Sequence, residues 1–280
     1  MTLFVYFGCL SVVSSGTWLT STGNSIGVAR ILPIAFAFGM AILILVYATA
    51  HLSGGHINPA VTLCLMILGK VSPVRGILYF VSQFGGSLLG AALVWASTTG
   101  LVGTDLFPEH PTFGRVGRPP FDLGATVLNP VLNSGNGFLL EFMGTFLLCL
   151  VVVQTAIDSH SPARPHLTPL AIGFAVLVAH ICLIPLTGCG INPARTFGPA
   201  IVTCIGAPDR CGSVIQSSWW IYYVGPFSAS FVAAFVTNFV HGGPQRYQPL
   251  ASVSDRDTCE DQSNDAQPLP NISPGIVDPD

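Results

Sequence analysis

Two asparagines are the residues of this chain best placed to act on another molecule. Asn58 stands in HINPAVT, residues 56–62, and Asn192 in GINPART, residues 190–196, so Ile-Asn-Pro-Ala recurs after 134 residues. In each copy the proline, Pro59 or Pro193, is followed by Ala60 or Ala194 and a short apolar run. Proline is favoured at the first helical position, so each Asn is placed to cap a short helix. A carboxamide accepts through its oxygen and donates two hydrogens through its nitrogen. With the oxygen held by local backbone, the amide hydrogens are left to orient a small polar molecule. The positive end of each helix, worth about half a charge, adds to that field. Such chemistry handles a solute without making or breaking a bond. A single Asn-Pro-Ala could equally be an ordinary turn over a buried helix. Its recurrence at matching positions argues against that.

Arg195 lies three residues after Asn192, in otherwise apolar sequence. A charge surrounded by hydrocarbon is costly, so it should face the interior of a bundle or a wet cavity. There it would repel cations and offer fixed donors. The alternative is an ion pair with Glu141, the one acid in GFLLEFMGTFLLCLVVVQTAI, residues 137–157. Glu141 itself could accept hydrogen bonds from half-helix backbone, or be an ion-pair partner or a protonated packing residue.

The elements that would carry these groups follow from composition. Of 280 residues, 50% are hydrophobic and 8% charged, with mean hydropathy +0.64. A soluble domain carries about 25% charged residues, so most of this surface should face hydrocarbon. Apolar runs at 31–52, 74–97, 137–157, 167–186 and 218–240 each predict a spanning helix. A first run, MTLFVYFGCLSVVSSGTWL, is shorter than the roughly 20 residues a span needs. Trp219, Trp220, Tyr222 and Tyr223 cluster at one end of the last run, as in an interfacial aromatic belt. The runs after the two asparagines, Ala60–Leu68 and Ala194–Ile205, are too short to cross. They predict re-entrant half-helices, which are tolerated only where they line a cavity or are buried in protein. Three spans in each half turn the second half upside down. The half-helices would then meet near the midplane with their N-termini together.

Several classes are excluded. No Ser-His-acid arrangement, metal-ligand spacing or phosphate-cradling glycine loop appears, so an enzyme is not expected, nor a metal or cofactor. Basic residues are not clustered as a nucleic-acid footprint requires. The eight cysteines contain no CxxC pair, and Cys9, Cys64, Cys149, Cys182 and Cys204 read as small packing residues. Lys70 and Arg75 place the loop after the first half-helix in the cytoplasm, with both termini. The sequon at Asn271 is then unused, and the plasma membrane is the default location.

SGGHINPAVT, TGCGINPARTFGPA and EFMGTFLL together resemble the aquaporin family, also called major intrinsic proteins, from about residue 2 to residue 240. The resemblance implies an all-α membrane fold of six spanning helices and two half-helices. It also implies a homotetramer in the bilayer with a separate pore in each copy. Residues 1–240 would be the channel domain, with a first repeat over about 1–100, a loop at 100–136 and a second repeat over about 137–240. Residues 241–280 would be a disordered acidic tail, since 251–280 hold seven of the thirteen acids.

By distance from the asparagines, the resemblance assigns Phe38, His180, Cys189 and Arg195 to a narrow selectivity filter. Read from the residues alone, Phe38 is a core residue and His180 a satisfied helix histidine. Glycerol-conducting members have Gly in place of His180 and Asp after the filter arginine, where this chain has Thr196. The expectation is a passive water channel that excludes protons and ions. The alternatives are a facilitator of glycerol, peroxide or another small neutral solute, and a structural or adhesive membrane protein with a slow or closed pore. Glu141 resembles the family's supporting glutamate in its fourth helix. The counterpart at the start of the first helix has no match here. MTLFVYFG resembles the interior of that helix, so the first half is expected to be less well braced than the second.

Overall fold

A computed structural model describes residues 1–20, 26–98, 120–158, 161, 163 and 166–240. These form helices and turns, with no strand among them. In chain order the helices are α1 (Thr2–Thr20), α2 (Ile26–Ser53), α3 (Pro59–Ile67), α4 (Pro73–Thr98), α5 (Ser134–Val152), α6 (Thr168–Thr187), α7 (Pro193–Gly206), α8 (Cys211–Val214) and α9 (Ile221–Val240). Tight 3-10 turns occupy Pro120–Gly124 and Pro208–Arg210, and α5 runs on as a single wide turn over Val153–Ile157. Four stretches, Arg30–Ser53, Pro73–Thr98, Ser134–Ile157 and Thr168–Thr187, are long and apolar enough to cross a membrane. Helices α1 and α9 pack in the same bundle, α1 on α2 and α4, α9 on α3 and α5. The expected acidic tail and residues 100–119 of the expected loop lie outside the described residues.

The exterior differs from that of a water-soluble bundle, and several polar groups are buried within the apolar core. Phe7, Phe36, Ile44, Leu78, Phe231 and Phe235 are exposed on the outside, whereas Asn58, Glu141, Thr145, Asn192, Arg195 and Ser230 are buried. An exterior of this kind is stable against lipid, where apolar side chains lose nothing by exposure, and polar groups find partners only inside. Close helix crossings use small residues. A Cβ on Gly39 of α2 would lie 3.0 Å from the Gly173 carbonyl of α6, and one on Gly173 would lie 2.9 Å from the Gly39 carbonyl. The two halves thus meet backbone to backbone, as glycine permits in membrane helices.

Local signals set the boundaries. α3 and α7 begin at their prolines, with Asn58 and Asn192 as extended N-caps. α5 starts at Ser134, three residues before the expected position, because Asn133 and Asn136 form a reciprocal capping box. Cys204 is not the simple packing residue expected: it is disulfide-bonded to Cys211, with Cα atoms 4.5 Å apart. The 208–210 turn folds α8 back onto the end of α7 and brings the two together.

Candidate functional site

The half-helices are tied to each other through their caps. Asn58 Oδ1 accepts from Ala60 N at 2.8 Å, and its Nδ2 donates to the Ile191 carbonyl at 2.9 Å. Asn192 Oδ1 accepts from Ala194 N and Arg195 N at 3.1 and 3.2 Å, and its Nδ2 donates to the Ile57 carbonyl at 2.8 Å. Each cap therefore donates to the residue just before the other. One amide hydrogen is used in this exchange, and the second is left on each nitrogen for a solute. Sequence reading anticipates the caps but not the exchange, since a backbone acceptor carries no side-chain signature.

Before Asn192 the chain makes an unusual turn. Gly188, Cys189 and Ile191 have φ of 74°, 56° and 42°. Left-handed backbone at a non-glycine residue costs about 1–3 kcal/mol. Glu141, fully buried on α5, supplies the compensation. Its Oε1 accepts from Gly190 N at 2.9 Å and from Thr187 Oγ1 at 2.6 Å, and its Oε2 accepts from Ile191 N at 2.5 Å. Gly190 is needed for this approach, because a Cβ there would stand 2.8 Å from Glu141 Oε2 and 2.6 Å from the Tyr222 ring. Tyr222 in turn donates its hydroxyl to the Thr187 carbonyl at 2.7 Å. The first half is braced without an acid. Gln83 of α4 donates through Nε2 to Thr62 Oγ1 at 3.0 Å and to the His56 carbonyl. Ser230 of α9 donates to the Ala60 carbonyl at 2.7 Å.

Phe38 of α2, His180 of α6 and Arg195 of α7 come together, none more than 2% exposed. The rings of Phe38 and His180 stack with centroids 4.4 Å apart, and the Arg195 guanidinium carbon lies 4.7 Å from the Phe38 centroid. Gly8 of α1 makes room for the aromatic ring, since a Cβ there would lie 2.3 Å from it. Cys189, in the turn before Asn192, is fully buried, and its N–H donates to Thr187 Oγ1 at 3.2 Å. His180 Nδ1 lies 2.9 Å from the Val176 carbonyl, which can only accept, so this nitrogen carries the hydrogen. Nε2 of the neutral ring is then an acceptor, and it has no partner among the described residues. Arg195 Nε likewise has none among them. Among the described residues no carboxylate pairs with Arg195. Glu141 has its oxygens occupied by the three donors above, and the arginine donates Nη1 to the Gly124 carbonyl at 2.9 Å.

Gly124 belongs to the segment expected to be only a polar loop. Its described part is built in: Leu123, Thr126 and Leu128 are buried, Thr126 Oγ1 donates to Thr196 Oγ1 at 3.0 Å, and Asn129 N donates to the Leu186 carbonyl at 2.8 Å. The site therefore comprises paired donors at a two-helix junction and a ring of one aromatic, one imidazole acceptor and one fixed cation. No nucleophile, base or metal-ligand cluster accompanies them among the described residues.

Comparison with known proteins gives a consistent result. A family model described as Major intrinsic protein matches residues 1–237. The probable aquaporin PIP2-6 of Arabidopsis thaliana is 39% identical over 249 residues, covering 85% of this chain and 76% of that protein. The probable aquaporin PIP2-1 of Oryza sativa subsp. japonica is 38% identical over 251 residues, covering 85% and 77%. The X-ray structure of the aquaglyceroporin from Plasmodium falciparum superposes with a TM-score of 0.67 at 22% identity, covering 86% of this chain and 96% of that one, a likeness of fold.

Proposed function

We propose, for a chain that belongs to the major intrinsic protein family, that it is a passive water channel whose pore passes the two asparagines and the Phe38–His180–Arg195 ring. The family comprises channels rather than enzymes, and the bundle is an integral membrane protein. The observation that carries the reading is the ring, where a buried imidazole acceptor and a buried guanidinium nitrogen lack partners among the described residues. Polar atoms sealed in a membrane protein need a partner, and a passing water supplies one. The stacked Phe38 and His180 rings keep the passage close to one water wide. A carbon-backboned solute such as glycerol needs a wider, more apolar wall.

Asn58 and Asn192 act on each water at the junction of the half-helices. Their free amide hydrogens bind its oxygen and turn its own hydrogens away from the centre. The hydrogen-bonded file is thereby broken where a proton would have to hop. The converging helix N-termini and Arg195 repel hydronium and other cations. Pro59, Ala60, Pro193 and Ala194 set the geometry of the two caps, and Cys189 adds the small side of the filter. Glu141 holds the turn that delivers Asn192.

The exposed apolar flanks fit burial in lipid and in contacts between four copies. Two features support an orientation. Lys70 and Arg75 follow α3 and favour the cytoplasm. The Cys204–Cys211 bond closes the far end of α7 and favours an oxidising exterior. Both termini would then be cytoplasmic in a plasma-membrane protein. Osmotic shrinkage of proteoliposomes with a glycerol control tests the function. Fast water flux with glycerol flux near that of empty vesicles is expected, and equal rates of shrinkage with and without inserted protein would refute it.

A further inference from the structure

The strongest protein acceptor of Arg195 is supplied by a turn in unusual backbone. Among the described residues, its Nη1 has besides the Gly124 carbonyl at 2.9 Å only Cys9 Sγ at 3.8 Å, a weak acceptor. Gly124 ends a run of three left-handed residues, with φ of 50° at Asp122, 51° at Leu123 and 70° at Gly124. L side chains resist this conformation, and two in succession need external support. Leu123 provides some of it, being fully buried. Asp122 provides a second anchor, with Oδ1 2.5 Å from Arg210 Nη2. Arg210 directly precedes Cys211, which is bonded to Cys204 of α7. Arg195 sits in the first turn of that same helix. The connections form a closed circuit: Arg195 to Gly124, along the backbone to Asp122, across to Arg210, through the disulfide, and back along α7.

We propose that Asp122 and Arg210 are positioning residues for the filter, their ion pair holding residues 122–124 so that the Gly124 carbonyl pins Arg195 to the pore wall. This rests on the reading of Phe38, His180 and Arg195 as the filter of a water channel. When the pair is lost, the turn relaxes toward ordinary backbone and the carbonyl leaves the guanidinium. The arginine then spends part of its time away from the wall position. A solute that needs a wider aperture gains from those excursions more than water does. The disulfide acts through the same circuit, because it fixes the backbone on which Arg210 stands.

Asp122→Asn is the clean perturbation, since Asn tolerates left-handed backbone and only the charge is lost. Arg210→Gln removes the other partner. Water and glycerol permeabilities are measured in the same proteoliposomes for wild type, both single variants and the double variant. Each single variant is expected to raise the glycerol-to-water ratio about fivefold, or about 1 kcal/mol at 1.36 kcal/mol per factor of ten. The double variant is expected to match the singles rather than multiply them. Dithiothreitol is expected to raise the ratio in wild type and to add nothing in Asp122→Asn. A protein that is merely destabilised would lose water flux without this change of ratio or this non-additivity. A conducting wild type with unchanged ratios in both variants overturns the positioning role alone, as does a double variant whose effects multiply. A wild type that does not conduct water overturns the channel reading, and this inference with it.

Discussion

Replacing Glu141 by Gln tests how the second half delivers Asn192. The carboxylate accepts three hydrogen bonds, from Thr187 Oγ1, Gly190 N and Ile191 N. A glutamine in the same rotamer keeps one oxygen for Thr187 and Gly190. Its amide nitrogen then faces the N–H of Ile191, donor against donor. One bond to a charged acceptor, worth about 1.5–3 kcal/mol, is lost and two donors are left unsatisfied. Neutralising a buried carboxylate also relieves its desolvation, which places the net change near the lower figure, about 1.5 kcal/mol. That is roughly a tenfold shift in favour of a relaxed turn. The turn has reason to relax, because Cys189 and Ile191 are held at φ of 56° and 42°. Ile191 also carries the carbonyl to which Asn58 donates, so the relaxation reaches both caps. Glu141→Gln should therefore lower both the water permeability per inserted channel, by several-fold, and the thermal midpoint of the purified protein. Stopped-flow light scattering and a melting curve measure the two. Wild-type values in both, at equal insertion, would refute the argument.

Other perturbations follow from the same geometry. A mercurial should block the wild-type channel, and Cys189→Ser should conduct and resist the block. Cys182 is exposed on the bundle surface and Cys9 Sγ lies 3.8 Å from Arg195 Nη1, so a block that persists when Cys189→Ser is combined with Cys9→Ser would misplace the filter. His180→Gly removes the ring stacked on Phe38 and should raise glycerol permeability at least about tenfold, the scale on which one pocket group discriminates between solutes; unchanged glycerol flux would show that the constriction lies elsewhere. Gly8→Val would drive a side chain into the space of the Phe38 ring and should cost about 1–3 kcal/mol of stability as overpacking does, read as a lowered melting midpoint with reduced water flux. Peptide mapping without reductant should recover Cys204 and Cys211 linked, and free thiols at both would contradict the proposed exterior face.

Much of the architecture is legible in the sequence because repetition and hydropathy are themselves one-dimensional signals. The matched Ile-Asn-Pro-Ala copies locate both half-helices, and proline at the first helical position fixes their starts to the residue. Glu141 stands out as an acid in an apolar run, which makes a role as backbone acceptor readable. Which backbone it serves is not readable, because the turn at 188–191 depends on left-handed residues that no local pattern announces. The Gly124 carbonyl is hidden for a related reason: every residue has one, and only the tertiary fold brings this one to Arg195. Asp122 and Arg210 lie 88 positions apart in segments without periodicity. Cys204 and Cys211 are close in sequence, but one reads as part of an apolar helix, which disguises the pair. Gln83 braces the first half although no acid marks the place. An amide inside a spanning helix is the one trace that could have led to it.

A file of water in this pore should conduct molecules and not protons. One experiment tests this directly: vesicles carrying the wild-type protein and a trapped pH-sensitive dye, followed during an osmotic step and then during a pH step. Water flux well above that of empty vesicles is expected in the first step, and proton flux no greater than theirs in the second. Proton flux that rises with the amount of inserted protein would contradict the role given to Asn58, Asn192 and Arg195. Water flux that does not rise with it would contradict the channel itself.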